Sequence, residues 1–407
     1  MLTPRSSQQT SASKSPTLKS SSSGAPLITH TIDAGHPVIG HTNTKSSGSR
    51  KWWKFRKPRT RKEWIVTIFV ALVLLVGIGF AVHSIWFSDS AMPPTKAAQK
   101  PATPAPAPPA KLYSGLMGLE ITDNSINDKP ITAIMIENSP DARPQSGIDQ
   151  ASVVFEAVAE GGITRFLTLF QENEPTYIGP VRSVRPYYVQ WLLGFDAAVA
   201  HVGGSGDALR LIKEAGAKDL DQFANPAPYH RVSNRYAPHN MYTGIPALRE
   251  LEAKKGYGKP NYTKLVRNEV STPSTTPTAT SIDLTLSGPL YNAHFDYDAS
   301  MNAYKRSEGG KPHMSVAQDG KETQLAPKVV VALVMPKGSN GIYSTYQTIG
   351  SGKAVIFQGG KMIDANWHKS GDKVQFSFTD NEGKEVKLDP GQTWFTAVGS
   401  AGSVTYK

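Results

Sequence analysis

One stretch limits what this chain can become more than any other. The run WIVTIFVALVLLVGIGFAVHSIWF, Trp64 to Phe87, contains no Asp, Glu, Lys or Arg over 24 residues. A helix needs roughly 20 such residues to cross a bilayer. Trp64 and Trp86 mark its two ends, where indole rings prefer the headgroup zone. A signal peptide would have an apolar region of about 7–15 residues near the N-terminus, so this run is too long and starts too late. The basic segment RKWWKFRKPRTRK at 50–62 precedes it, and no Lys or Arg follows until Lys96. The positive-inside rule then predicts a single-pass membrane protein, with residues 1–63 cytoplasmic and 88–407 outside. Contact of Trp52, Trp53 and Phe55 with anionic lipid is a secondary use of the same segment.

The net charge of +11 first suggests nucleic acid, but its distribution argues otherwise. Residues 1–111 hold 15 Lys and Arg against 3 Asp and Glu, while the remainder holds 29 against 30. The basicity therefore belongs to the tail, and no nucleic-acid partner is expected for the folded part. The 407 residues include no cysteine, which excludes disulfides, thiolate metal sites, a Cys nucleophile and a lipid on cysteine. Residues 1–49 are rich in Ser and Thr and read as disordered. Residues 88–111 read as a Pro/Ala stalk of polyproline II character.

Two folded parts are expected: an α+β domain over 112–267 and, after a linker at 268–284, a smaller β-rich domain over 285–407. In the first, ITAIMIEN (131–138), SVVFEAVAE (152–160), TRFLTLFQ (164–171) and FDAAVAHV (195–202) have strand character. DALRLIKEAG (207–216), closed by Gly216, and IPALRELEAKK (245–255) read as helices. In the second, KVVVALVM (328–335), KAVIFQGGKMIDANWHK (353–369), KVQFSFTDNEGKEVKL (373–388) and QTWFTAV (392–398) read as strands and hairpins.

Four polar constellations are candidates for chemistry. In AEGGITRF, Glu160 ends a strand before two glycines and Arg165 follows five residues later. This is a Glu–Arg pair flanking a hairpin, or a cleft carboxyl able to give a proton. In IGPVRSVRPYY, Arg182 and Arg185 suit carboxylates or phosphates, with tyrosines beside them for sugar faces. Equally, they could neutralise Glu156, Glu160 or Asp196. HVGGSGDALRLI, from His201, has a strand, Gly-rich turn and helix that could present N–H groups to an anion. It lacks the Lys of a Walker loop, and position 207 is Asp where a nucleophile elbow needs Gly. Asp207 is as good a helix cap as a functional carboxylate. YHRVSNRYAPHNMYT (229–243) is a polar, aromatic loop suited to binding, with His239 and Asn240 in its second half. His201, His230 and His239 have no diagnostic metal spacing, so neither metal nor cofactor is expected.

Taken together, ARPQSGIDQASVVFEAVAEGGITRFLTLFQ, IGPVRSVRPYY, HVGGSGDAL and APHNMY resemble the DUF3048 family, the YerB-like lipoproteins. GSGKAVIFQGGKMIDANWHK resembles that family's β-rich second domain. The resemblance implies a two-domain, membrane-tethered protein of the bacterial cell envelope. It supplies no catalytic residues. Family members usually carry a lipidated Cys, which the Trp64–Phe87 helix replaces here. The leading expectation is a module that binds a wall component such as peptidoglycan, glycan or peptide. Glu160, Arg165, Arg182, Arg185, His201, Asp207, His239 and Asn240 are expected to line one cleft. The alternatives are a glycan-cleaving enzyme with Glu160 as acid, and a non-catalytic scaffold for protein partners in wall synthesis.

Overall fold

The structure, a computed structural model, describes residues 60–86 and 111–407. The Ser/Thr-rich tail, most of the basic run and the Pro/Ala stalk lie outside the described residues. The described residues fall into two separate units, 60–86 and 111–407. In the first, helix α1 (Arg61–Trp86) contains the span Trp64–His83, with mean hydropathy 3.0 and no buried side chain among those described. It is long and apolar enough to cross a membrane.

The second unit is an α+β structure with a β-rich C-terminal part. Its first half contributes strands β1 (Thr132–Glu137), β2 (Val153–Glu160), β3 (Ile163–Phe170), β4 (Ala198–Ala200) and β5 (Lys218–Asp219). Three helices accompany them: α2 (Pro186–Leu193), α3 (Gly206–Ala215) and α4 (Ile245–Lys254). Its second half adds β6 (Ser281–Leu284), β7 (Ala293–Asp298), β8 (Ala303–Glu308), β9 (Lys311–Pro312) and β10 (Val329–Val334). A hairpin, β11 (Lys337–Asn340) and β12 (Tyr343–Tyr346), follows. The last strands are β13 (Gly350–Gln358), β14 (Lys361–Lys369), β15 (Ser377–Thr379), β16 (Thr393–Val398) and β17 (Val404–Tyr406).

One large sheet runs β15-β14-β13-β10-β16-β2-β3-β1-β4-β5, and a second runs β9-β8-β7-β6-β17. Strand β16 lies parallel to both β10 and β2, so the two halves of the sequence share one continuous sheet. Its central strands are apolar at nearly every position because both faces are covered. Met135, Phe155 and Leu167 face α2, which brings Tyr187, Tyr188, Trp191 and Leu192 onto them. Val154, Phe166 and Trp394 face the second sheet, where they meet Ile282, Leu284, Phe295 and Tyr304.

Most expected strands form, and the departures have local causes. FDAAVAHV keeps only Ala198–Ala200 as strand, because Asp196 turns the chain at φ 51° just before it. Within 373–388 only Ser377–Thr379 is a strand. Strands β6 to β9, unassigned from the sequence, lie on a half-covered sheet: β6 and β7 bury every second residue in part, β8 also buries Arg306 and Glu308, and β9 is exposed. IGPVRSVRPYY is extended up to Arg185 and becomes helical only at Pro186, a position where proline costs no hydrogen bond. The low-complexity segment 268–281 is fastened down: Asn268 and Ser271 donate to the Asp389 carboxylate at 2.7 and 2.8 Å, and the Ser274 amide donates to Gly359 O at 2.8 Å.

Candidate functional site

Strands β1, β2, β4, β5, β10 and β16 share one direction, with β3 running against them. Ligands of open sheets with parallel strands tend to gather beyond the carboxyl ends of such strands. At that edge β1 ends on Glu137, β2 on Glu160, β4 runs into His201 and β5 ends on Asp219. Short β4 leaves the sheet after Ala200, and the 180–182 strap takes its place along β1. The Arg182 amide donates to Met135 O at 2.8 Å and the Glu137 amide to Pro180 O at 2.9 Å. The strap thereby delivers Arg182 and Arg185 to the strand ends.

Two ion clusters result. In the first, Glu160 accepts from Arg165 Nη2 at 2.5 Å and from Arg185 Nε and Nη2 at 3.0 and 2.7 Å. Gly161 and Gly162, with φ of 57° and 81°, make the tight turn that returns the chain so that Arg165 reaches back to Glu160. Arg165 also donates to Ser183 O at 2.7 Å, and Arg185 lies over the Tyr343 ring at 4.8 Å. Burial alone would raise the Glu160 pKa, but Arg165 and Arg185 outweigh it and hold the carboxyl below its ordinary value. A carboxylate so paired is a poor proton donor at neutral pH.

The second cluster centres on Glu137, which the sequence reading did not single out. Its Oε1 accepts from Ser139 Oγ and faces His239 Nδ1, both at 3.0 Å, while Oε2 lies 3.3 Å from Arg182 Nε. Glu137 pairs across the strands with Arg165, so the two clusters sit side by side on one face. The Arg182 side chain keeps 26% of its surface exposed; its buried Nε lies within ion-pair distance of Glu137 but makes no hydrogen bond among the described residues, and neither does Glu137 Oε2.

The other candidate residues act locally. His201 is fully buried, with Nε2 3.0 Å from Asp219 and Nδ1 2.9 Å from Gly203 O, and so ties β4 to β5 and to the glycine loop. Ser205, not Asp207, caps α3: its Oγ accepts from the Ala208 amide. Asp207 is exposed and pairs with Arg210 at 2.8 Å. Asn240 braces its loop through Arg231 and the carbonyls of Val232 and Arg235. The structure thus brings Glu160, Arg165, Arg182, Arg185 and His239 together and leaves His201, Asp207 and Asn240 in separate roles. Of the carboxylates weighed against the arginines, Asp196 pairs with Lys218 at 2.8 Å. Glu156 points to the opposite face, where Arg306 Nη2 donates to both of its carboxylate oxygens, at 2.9 and 3.0 Å. Trp394 Nε1 also donates to Glu156, and Arg306 reaches on to Glu308 at 3.2 Å and to His313. Every member of that network is buried.

Comparison with known proteins agrees with this architecture. Residues 116–258 match the N-terminal domain, and 282–395 the C-terminal domain, of the protein of unknown function DUF3048. The chain is 30% identical over 311 residues to the protein named "Putative lipoprotein YerB" from Bacillus subtilis (strain 168), covering 74% of this chain and 89% of the relative. It superposes on the crystal structure of YerB protein from Bacillus subtilis with a TM-score of 0.64 and 26% identity, over 73% of this chain and 100% of that one. With both halves matched in order, the chain belongs to the DUF3048 family.

Proposed function

We propose that this is a membrane-tethered binding module of the bacterial cell envelope, which holds an anionic group of a wall component such as peptidoglycan. The span Trp64–His83 would anchor it, with residues 1–63 in the cytoplasm and 88–407 outside. The lipoprotein name of the relative supports a tether at the membrane. The observation that carries the binding site is the state of Arg182. Glu137 balances its charge from 3.3 Å without accepting a hydrogen bond from Nε, and the part-exposed guanidinium is left to donate to a ligand. His239 and the 91% exposed Tyr236 lie on the adjoining loop. The glycan-cleaving reading loses support, because its acid, Glu160, is the carboxylate most fully occupied by arginines.

Two measurements test this. A reporter active only in the cytoplasm should be silent when fused after Lys407 and active when fused near Ser46; the reverse pattern would sink the topology. Full-length protein in detergent should be retained on purified wall material, and Arg182→Ala should lose retention per folded molecule, on top of the stability it loses by removing a cation from the buried Glu137. Undiminished retention by that variant would remove the proposed site.

A further inference from the structure

Opposite the carboxyl edge, where β1, β2 and β16 begin, lies a cavity of about 190 Å³. It is lined by the Ser114–Gly118 turn and by Lys264, Arg267 and Asn268. Arg267 is the anomaly there. Its Nη1 donates to Asp389 O at 2.7 Å, but Nε and Nη2 are buried and meet no acceptor among the described residues. It also forms no ion pair among them. Glu172, an acid close enough to influence it, already accepts from the Leu116 and Met117 amides and from Ser152 Oγ. The Asp389 carboxylate is taken by Asn268 and Ser271. Glu172 and Asp389 balance some of the charge, but buried guanidinium N–H groups without acceptors are costly, and their presence needs compensation.

The chain shapes itself around this charge. Gly118 has φ 68°, and a Cβ there would fall 2.4 Å from Arg267 Cδ, so only glycine lets the arginine stem cross the turn. Tyr262 Oη, also buried without a partner among the described residues, lies 2.3 Å from where a Cβ on Gly115 would stand. Lys264 adds a second cation on the wall, with Glu269 on the same rim. We infer that this cavity is a binding site for a small oxyanion, a phosphate or carboxylate group, held by Arg267 and Lys264. Its volume lies below the range of drug-sized pockets, roughly 300–1,000 Å³. It therefore takes a free inorganic anion or the terminal group of a larger molecule. The site is separate from Arg182 and does not depend on the binding role proposed for it.

The test is thermal unfolding of the full-length protein in detergent, with inorganic phosphate or acetate titrated against sodium chloride of equal ionic strength. One of the two oxyanions should raise the melting temperature saturably above the chloride control, because a ligand that binds only the folded state stabilises it. Which one does so distinguishes the phosphate source from the carboxylate source. Arg267→Met should abolish that rise. Lys264→Met, which changes an exposed side chain and should fold normally, should move the half-saturating concentration up about tenfold, as expected for one lost charge-assisted hydrogen bond. No oxyanion-specific rise in wild type, or a rise that Lys264→Met leaves unchanged, would overturn the inference.

Discussion

Replacing Glu160 with Gln isolates what the carboxylate does between its two arginines. The side chains of Arg165 and Arg185 are 3% and 6% exposed, and Glu160 contributes all three of their carboxylate contacts. Gln keeps the shape but removes the charge, and its amide turns donors towards a guanidinium that also donates. Breaking a buried ion pair from one side costs about 3–5 kcal/mol. Glu160 itself retains 23% exposure, which places the expected loss near the low end, about 3 kcal/mol. For a unit of this size that corresponds to roughly 6 °C in melting temperature. The pH dependence has a definite sign. The Glu160 pKa in the folded state lies below its unfolded value, because the two arginines outweigh burial. The unfolded state therefore binds more protons below about pH 4.3, so this contribution is complete above that pH and is lost as pH falls through the folded pKa. Urea melts of wild type and Glu160→Gln should differ most near pH 7 and converge on acidification. A gap under about 1 kcal/mol at pH 7, or one that stays constant down to pH 3, would refute the pairing argument.

Three further outcomes follow from the same geometry. Arg306→Met should cost about 3–5 kcal/mol in urea melts by stranding Glu156 and Glu308, and adding Glu156→Gln should restore part of it; strictly additive losses would argue against a direct pair. Lys369, whose amine donates to three backbone carbonyls, has its pKa lowered to about 8 by burial, so stability should climb from about pH 8 to about 10.5 as the unfolded state sheds its extra proton. Lys369→Met should flatten that limb, and an unchanged limb would assign it elsewhere. Residues 111–267 produced alone should lack a cooperative melt, since β2 loses its partner β16 and Glu156 loses Arg306; a sharp transition would show that this half folds unaided.

Much of the framework is readable from local pattern, because the signals there are themselves local. The 24-residue apolar run, the Gly359-Gly360 hairpin and the helix closed by Gly216 each carry their cause within a few residues. What local pattern does not carry is the pairing of β16 with β2, more than 230 residues apart, which joins the two halves into one sheet. Strands β7 and β8 escape for a different reason. AHFDYD and AYKRSE bury only some of their positions, and Arg306 and Glu308 occupy buried positions that a hydropathy reading assigns to solvent.

The same limit governs the site. Arg182 and Arg185 stand three residues apart and are chemically identical, yet the fold gives them different fates. Arg185 turns inward at the mouth of α2 and is consumed by Glu160; Arg182, on the strap beside β1, has only a 3.3 Å charge contact with Glu137 and no hydrogen bond to it. Glu137 decides this second outcome, and a signal for it was present. Ala133 and Met135 face α2, so strand alternation places Glu137 on the same side, where a carboxylate ending an apolar strand requires a cation. Which cation answers it depends on how β4 stops at Ala200 and lets the strap in, a tertiary event with no mark in either segment. Charge complementarity therefore separates structural arginines from available ones here, and the available one is where a ligand can be sought.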